Sequence, residues 1–158
     1  KQCHCIRCRE EGFQTHSTGK DKSTFNFDNV KLYNFEYPAS KGTEFFISFE
    51  DKQKDTLVGY CRLRFPSPQA HRPEIKGQNA AIIRELKVVG ELVRPSATPN
   101  PNQMQHRGYG KALVKEAERI AKEHGYTKLL VIAGIGVRPY FYKLGFQPDG
   151  PYVSKSLA

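Results

Sequence analysis

The hexapeptide QHRGYG, Gln105 to Gly110, and the segment KALVKEAERIAKEHG that follows it decide how the rest of the chain is read. In that segment Leu113, Ala117, Ile120, Ala121 and His124 recur at helical spacing, Lys and Glu fill the opposite face, and Gly125 is a natural C-terminal stop. Two glycines beside an arginine at a helix start admit a plain turn, a phosphate cradle, or a narrower cofactor loop. A dinucleotide loop needs Gly-x-Gly-x-x-Gly and a later acidic residue, and only Gly108 and Gly110 are present. The Gly-x-x-x-x-Gly-Lys-Ser/Thr pattern of a Walker loop is missing as well. What remains is a helix start whose unspent N–H groups and positive dipole end suit an anion. Gly108 and Gly110 carry no Cβ, so a pyrophosphate can approach the backbone, and Arg107 and Lys111 add positive charge. For the glycines taken alone, an ordinary strand-to-helix turn is the simpler account.

Upstream, the pattern is that of strands. TEFFISFE sets Phe45, Ile47 and Phe49 on one face and Ser48 and Glu50 on the other. TLVGYCRLRF repeats the alternation, with Leu57, Cys61, Leu63 and Phe65 inward and Tyr60, Arg62 and Arg64 outward, and DKQKD joins the two as a hairpin. AAIIRELKVV, Ala80 to Val89, reads as a third strand. Between and after these lie FPSPQAHRPEIKGQN and GELVRPSATPNPNQM, too rich in Pro, Asn and Ser for helix or central strand. Loops of that length in a compact domain are more often functional than idle. Downstream, KLLVIAG reads as a buried strand, VRPYFYKLGF as a short helix ending at Gly145, and PYVSKSL as a last strand. Antiparallel strands followed by helix, strand, helix, strand predict an α/β or α+β layer on one mixed sheet.

The totals bound the function classes. At 158 residues the chain has the length of one domain, and 38% hydrophobic residues with 10 Phe and 8 Tyr suffice for one core. The longest apolar run, LLVIAGIGV from Leu129 to Val137, is too short to span a bilayer and lies deep in the chain, so neither membrane span nor signal peptide is expected. Lys and Arg outnumber Asp and Glu by 25 to 16, a net +9 that suits a polyanionic partner, nucleic acid first, or simply solubility. Of the four cysteines, Cys3, Cys5 and Cys8 crowd together and Cys61 sits in a strand pattern, which is no disulfide framework and predicts a reducing cytoplasm. The aperiodic, polar N-terminal part predicts a linker, residues 1–28, ahead of a folded domain, residues 29–158. A start on a cysteine cluster suggests a piece of a longer protein.

The order of these segments carries a resemblance. Gln105-x-x-Gly108-x-Gly110 ahead of an amphipathic helix, then a buried strand, then YFYKLGF, resembles the GNAT superfamily of acyl-CoA-dependent acyltransferases. CHCIRCRE at the start, RELKVVGELV before the hexapeptide, KEAERIA after it and LGFQPDGPYVSKSL at the end resemble, more closely, the family of Elongator catalytic subunits. The resemblance implies a GNAT fold, acetyl-CoA or a close acyl-CoA as cofactor, and action on the wobble uridine of tRNA. It implies a zinc-holding linker, and an upstream radical-SAM domain carrying S-adenosylmethionine and an iron–sulfur cluster. It leaves open contacts with other Elongator subunits or self-association. A lysine acetyltransferase and a non-catalytic RNA- or subunit-binding module are the rival readings.

The same resemblance assigns candidate residues. Gln105, Arg107, Gly108, Tyr109, Gly110 and Lys111 form the pyrophosphate loop. Leu86 and Val88 offer backbone groups to the pantetheine arm, while Glu85 and Lys87 on the alternate face point toward substrate. Glu85 is a candidate general base or RNA contact, its duller role being a solvated strand residue. The tyrosine that usually serves thioester cleavage would stand where this chain has Phe141, so Tyr140 beside it becomes the candidate acid; Tyr140 and Phe141 both count among the cofactor contacts, with Tyr142 as packing or a cofactor-side contact. Acyl transfer expels a thiolate, and a tyrosine hydroxyl within reach can protonate it. Cys3, Cys5 and Cys8 are soft zinc donors, with His4, His16 or an upstream residue as a fourth ligand. Lys52, Lys54, Arg62, Arg64, Arg72 and Lys76 are candidates for an RNA-facing surface. His124 reads as a core or capping histidine, His106 as a plain loop residue or else a phosphate contact, and the PSATPNPNQ loop as a gate.

Overall fold

The computed structural model describes residues 3–10, 27–89 and 108–158. Gln105, His106, Arg107, His16 and the PSATPNPNQ loop lie outside the described residues. A mixed sheet of seven strands forms the body: β1 (Lys31–Ala39), β2 (Gly42–Asp51), β3 (Thr56–Phe65), β4 (Ala80–Val88), β5 (Lys128–Val131), β6 (Gln147–Asp149) and β7 (Tyr152–Ser156), in the spatial order β1-β2-β3-β4-β5-β7-β6. β4 and β5 are the parallel pair, which needs a crossover, and α2 (Tyr109–Glu123) lies on that connection. Two short helices, α1 (Ile6–Arg9) and α3 (Arg138–Lys143), and two 3-10 turns, Phe27–Asn29 and Ile135–Val137, complete the described elements. None of the described helices is long and apolar enough to cross a membrane.

The mixed sheet expected from the sequence is present, with two additions. AAIIRELKVV is the fourth strand rather than the third, because Lys31–Ala39 already pairs along the whole of β2. Its largely exposed, edge-strand pattern hides it from an alternation search. The three-residue β6 is equally invisible by period.

The main core lies between one sheet face and α2. Phe45, Ile47, Cys61, Leu63, Ala81 and Ile83 meet Leu113, Val114, Ala117, Ile120 and Ala121, and α3 closes the layer through Phe141. A fully buried side chain such as Leu113 contributes about 1.5–3 kcal/mol by leaving water. α2 stops where the sequence predicts, Gly125 turning left-handed at φ 79°. His124 caps the helix by donating from Nδ1 to the Ile120 carbonyl at 2.8 Å, its ring lying 5.0 Å from that of Phe65.

The opposite face corrects the expectation. Tyr60, read as outward-facing, is buried, as are Ser48 and Glu50 on the same face, because charged side chains and the N-terminal segment cover it. Glu44, 1% exposed, is its centre: it accepts hydrogen bonds from Tyr37 (2.9 Å), Arg62 (3.0 Å), Arg64 (3.4 Å) and Arg84. Arg62 and Arg64 thus bond a buried carboxylate within the fold. Lys52 lies over the Tyr33 ring at 3.8 Å and Arg72 pairs with Glu74 at 3.0 Å, so the predicted basic surface is largely engaged within the fold.

Burial pushes the Glu44 carboxyl up, but the hydrogen bonds from Arg62, Tyr37 and Arg84 outweigh it and hold it at about 2. Because the folded value lies below the ordinary 4.5, its contribution to stability is full above pH about 4.5 and lost as pH falls toward about 2. Glu44→Gln is expected to destabilise the fold by about 3 kcal/mol, since clustered guanidinium groups lose their counter-charge. Urea unfolding at stepped pH checks both points: the acid-induced loss seen in wild type should be correspondingly smaller in the variant.

Candidate functional site

The site grows out of a defect in strand β4. β4 pairs with β3 from Ile82 to Val88, but Leu63 faces Ile83 while Arg62 faces Glu85, so Arg84 is an extra residue, a β-bulge. On its other edge β4 pairs with β5 only from Ala80 to Ile83, and the Ile132 N–H to Ile83 carbonyl bond (3.0 Å) closes that ladder. Beyond it β5 gives way to a 3-10 turn at Ile135–Val137. Over Glu85–Val88 the β4 edge that faces away from β3 has no strand partner among the described residues. An extended chain of amides can pair with such an edge as a missing strand would.

The start of α2 lies beside this open edge. Gly108 caps the helix at φ 78°, a left-handed conformation that favours glycine. The first helical bond runs from the Ala112 N–H to the Gly108 carbonyl, so the N–H groups before it are not spent on the helix. Tyr109 turns its ring onto Phe49 at 4.8 Å, leaving its main chain at the helix start, and Lys111 is exposed. Gly110 faces Val88 and Tyr140: a Cβ built there would lie 3.5 Å from Val88 Cγ2 and 2.8 Å from the Tyr140 hydroxyl. Thus the open end of β4, the glycine loop and Tyr140 converge on one place. This cradle, which side chains at Gly108 and Gly110 would fill or strain, fits a pyrophosphate with an attached amide arm.

The aromatic residues of α3 divide by burial. Phe141, grouped with the cofactor contacts from the sequence, is 3% exposed and directs its ring into the core against Phe146 at 5.6 Å. It also meets the Tyr140 ring edge-on at 5.2 Å, and so serves as that ring's support. Tyr140 is partly open to solvent, and burial raises its hydroxyl above the ordinary tyrosine value, which keeps it protonated at neutral pH. Tyr142 is exposed.

Leu86 and Val88 pack against the main core, and Glu85 and Lys87 alternate with them toward the charged face. Tyr60 donates its hydroxyl to Glu85 Oε1 at 2.5 Å, and Arg62 stands 3.6 Å from Oε2. Burial, then this carboxylate, pushes the Tyr60 hydroxyl well above its ordinary range, so it remains a donor. Lys87 is bound by Glu10 at 2.5 Å, which ties the N-terminal segment to the strand of the candidate site. Neither Tyr60 nor Glu10 was singled out in the sequence. Tyr60 read as an outward residue, and no local signal joins Glu10 to a strand residue so far along the chain.

At the N-terminus the sulfur atoms of Cys3, Cys5 and Cys8 lie within 4.8 Å of one another. The Cys8 backbone N–H, helped by the Cys3 and Cys8 thiols, lowers Cys5 to about 7, whereas hydrogen bonds with Cys5 and Cys3 raise Cys8 to about 11. Three soft donors at this separation fit a tetrahedral thiophilic ion with one further ligand. His4 is outside the cluster; its Nδ1 bonds Asp55 at 2.5 Å. Arg9 fastens the segment to the sheet by binding Asp55 at 2.7 Å and Glu50. Cys61 is buried in the core, as its strand position predicts.

With this geometry in hand, the chain can be set against known proteins. It is 46% identical over 157 residues to Elongator complex protein 3 of Drosophila melanogaster, covering 98% of this chain and 27% of that protein. It is 43% identical over 157 residues to the tRNA uridine(34) acetyltransferase of Methanocaldococcus jannaschii, covering 99% of this chain and 28% of that one. The chain thus spans about a quarter of the length of these curated relatives. Its fold superposes on the archaeal Methanocaldococcus infernus Elp3 lacking its N-terminus with a TM-score of 0.84 at 42% identity, over 98% of this chain and 35% of that one. The sequence model of the acetyltransferase (GNAT) family matches residues 10–146, which take in the open β4 edge, the glycine loop and Tyr140, and the chain belongs to that family.

Proposed function

We propose that this chain is the acetyl-CoA-binding acetyltransferase part of a longer enzyme that builds a carboxymethyl-type modification on the wobble uridine, position 34, of tRNA. The supporting observation is the convergence of the unpaired β4 edge, Gly108, Gly110 and the Tyr140 hydroxyl in a chain similar over nearly its whole length to a tRNA uridine(34) acetyltransferase. On this proposal residues 1–28 are a zinc-holding linker and residues 29–158 the acetyltransferase domain. A radical-SAM domain with its iron–sulfur cluster belongs to the rest of the protein, tRNA is the macromolecular partner, and the cytoplasm is the site of action.

Acetyl-CoA supplies an activated acetyl thioester. The backbone of Glu85, Leu86, Lys87 and Val88 aligns the pantetheine arm along the open edge. Gly108, Tyr109, Gly110 and Lys111, with Gln105 and Arg107, meet the pyrophosphate with main-chain N–H groups and positive charge. Tyr140 would give its hydroxyl proton to the coenzyme thiolate set free as the acetyl group bonds to its acceptor or to water, and would regain a proton from solvent. Glu85, held by Tyr60, lies on the acceptor side, where its free lone pairs orient the acceptor or take up a proton.

Tyr140→Phe in the full-length protein is expected to lower acetyl-CoA turnover about 100-fold while leaving acetyl-CoA affinity nearly intact. Because burial raises the hydroxyl, the alkaline limb of wild-type turnover should fall above pH about 10. Thiol release measured with and without tRNA checks the proposal. Stimulation by tRNA supports it, and RNA-independent acetylation of a lysine peptide at comparable rate would replace it with a protein acetyltransferase.

For the linker, the full-length protein is expected to bind zinc, and Cys5→Ser to lose it. Elemental analysis of purified wild type and variant decides this. Equal zinc in both would remove Cys5 from the site.

A further inference from the structure

The two glycines of the hexapeptide sit in different physical circumstances. Gly108 has a left-handed backbone, and a Cβ there would meet nothing within 4 Å, so its requirement is one of main-chain conformation. Gly110 lies within α2 and is not among the positive-φ residues, so its backbone is open to any amino acid. Glycine is the poorer helix former than alanine, and here it forgoes helix stability with no conformational return. What it leaves is room. A Cβ at this position would come within 2.8 Å of the Tyr140 hydroxyl, well inside contact distance, while Tyr140 Cζ at 3.7 Å would be an ordinary neighbour.

We infer that Gly110 is a positioning residue for Tyr140: its missing side chain is the space in which the hydroxyl is held against the start of α2. The ring is confined on its other side by the edge-on contact with Phe141, itself locked in the core against Phe146. Tyr140 is 39% exposed, so a Cβ at Gly110 drives the hydroxyl outward instead of breaking the fold. The loop that meets the cofactor's phosphates therefore also sets where the proton donor stands. Alanine at this position would misplace proton delivery, while its cost to the phosphate loop would be the same with or without the Tyr140 hydroxyl.

The inference rests on Tyr140 acting in turnover, and its test separates the two ideas. Gly110→Ala, Tyr140→Phe and the double variant are made in the full-length protein. Acetyl-CoA turnover with tRNA and acetyl-CoA affinity by titration calorimetry are measured for each. With Tyr140 present, Gly110→Ala is expected to lower kcat at saturating acetyl-CoA on the order of 10- to 100-fold, affinity being measured separately because Gly110 also belongs to the phosphate loop. In the Tyr140→Phe background, which lacks the clashing oxygen, the same change should cost kcat at least about fivefold less. An equal loss in both backgrounds, or a loss explained by affinity, overturns the inference. A crystal structure of Gly110→Ala gives a readout independent of activity: the hydroxyl displaced toward solvent supports the assignment, and the hydroxyl in its original place sinks it. Should Tyr140→Phe turn over normally, the proton-donor role falls, while the crystal structure still decides what Gly110 does to the ring.

Discussion

The arrangement depends on β4 parting from β5. Four residues of each strand pair, and then the bulge at Arg84 bends β4 while the 3-10 turn after β5 takes its neighbour elsewhere. A sheet normally consumes every backbone donor and acceptor it can. Here the fold leaves one strand end half-paired, next to a helix whose first N–H groups are also unspent by secondary structure. Two sets of main-chain groups unspent by secondary structure are thereby brought side by side. That shape and polarity suit a long, amide-bearing, phosphorylated cofactor better than any side-chain constellation alone would.

The charged face behind β4 gives that strand end its support. Arg84, the bulged residue, is held by buried Glu44, and the next residue, Glu85, is held by Tyr60. Lys87 is held in turn by Glu10 from the cysteine-bearing segment. Each outward residue from Arg84 to Lys87 that the strand offers on this face thus has a partner, while Leu86 and Val88 are seated on the core. The unpaired backbone edge is braced from both sides. The cysteine segment, through Arg9 and Glu10, belongs structurally to the same unit rather than trailing from it.

Much of the architecture was legible in the chain because it follows from local period and punctuation. The alternation in TEFFISFE and TLVGYCRLRF, the helical stripe from Leu113 to Ala121, and Gly125 and Gly145 as stops all appear as expected. Strand β1 escaped because an edge strand with most of its side chains exposed has little alternation to show. Tyr60 was misplaced, and the burial of Ser48 and Glu50 went unseen, because period says which residues share a face, and says nothing of what covers that face. The same limit hid Glu44, whose partners come from three different strands.

For the candidate site, the sequence by itself determined the glycine loop, the helix behind it, the strand before it and a tyrosine within the short helix after it. These are properties of residue type and spacing along one stretch of chain. The tertiary structure alone decided that β4 ends unpaired, that Phe141 is core while Tyr140 faces the loop, and that Gly110 is empty where the Tyr140 hydroxyl stands. Those facts are distances between atoms far apart in sequence, set by how a bulged strand, a helix start and a distant aromatic pair pack together. No local pattern encodes them.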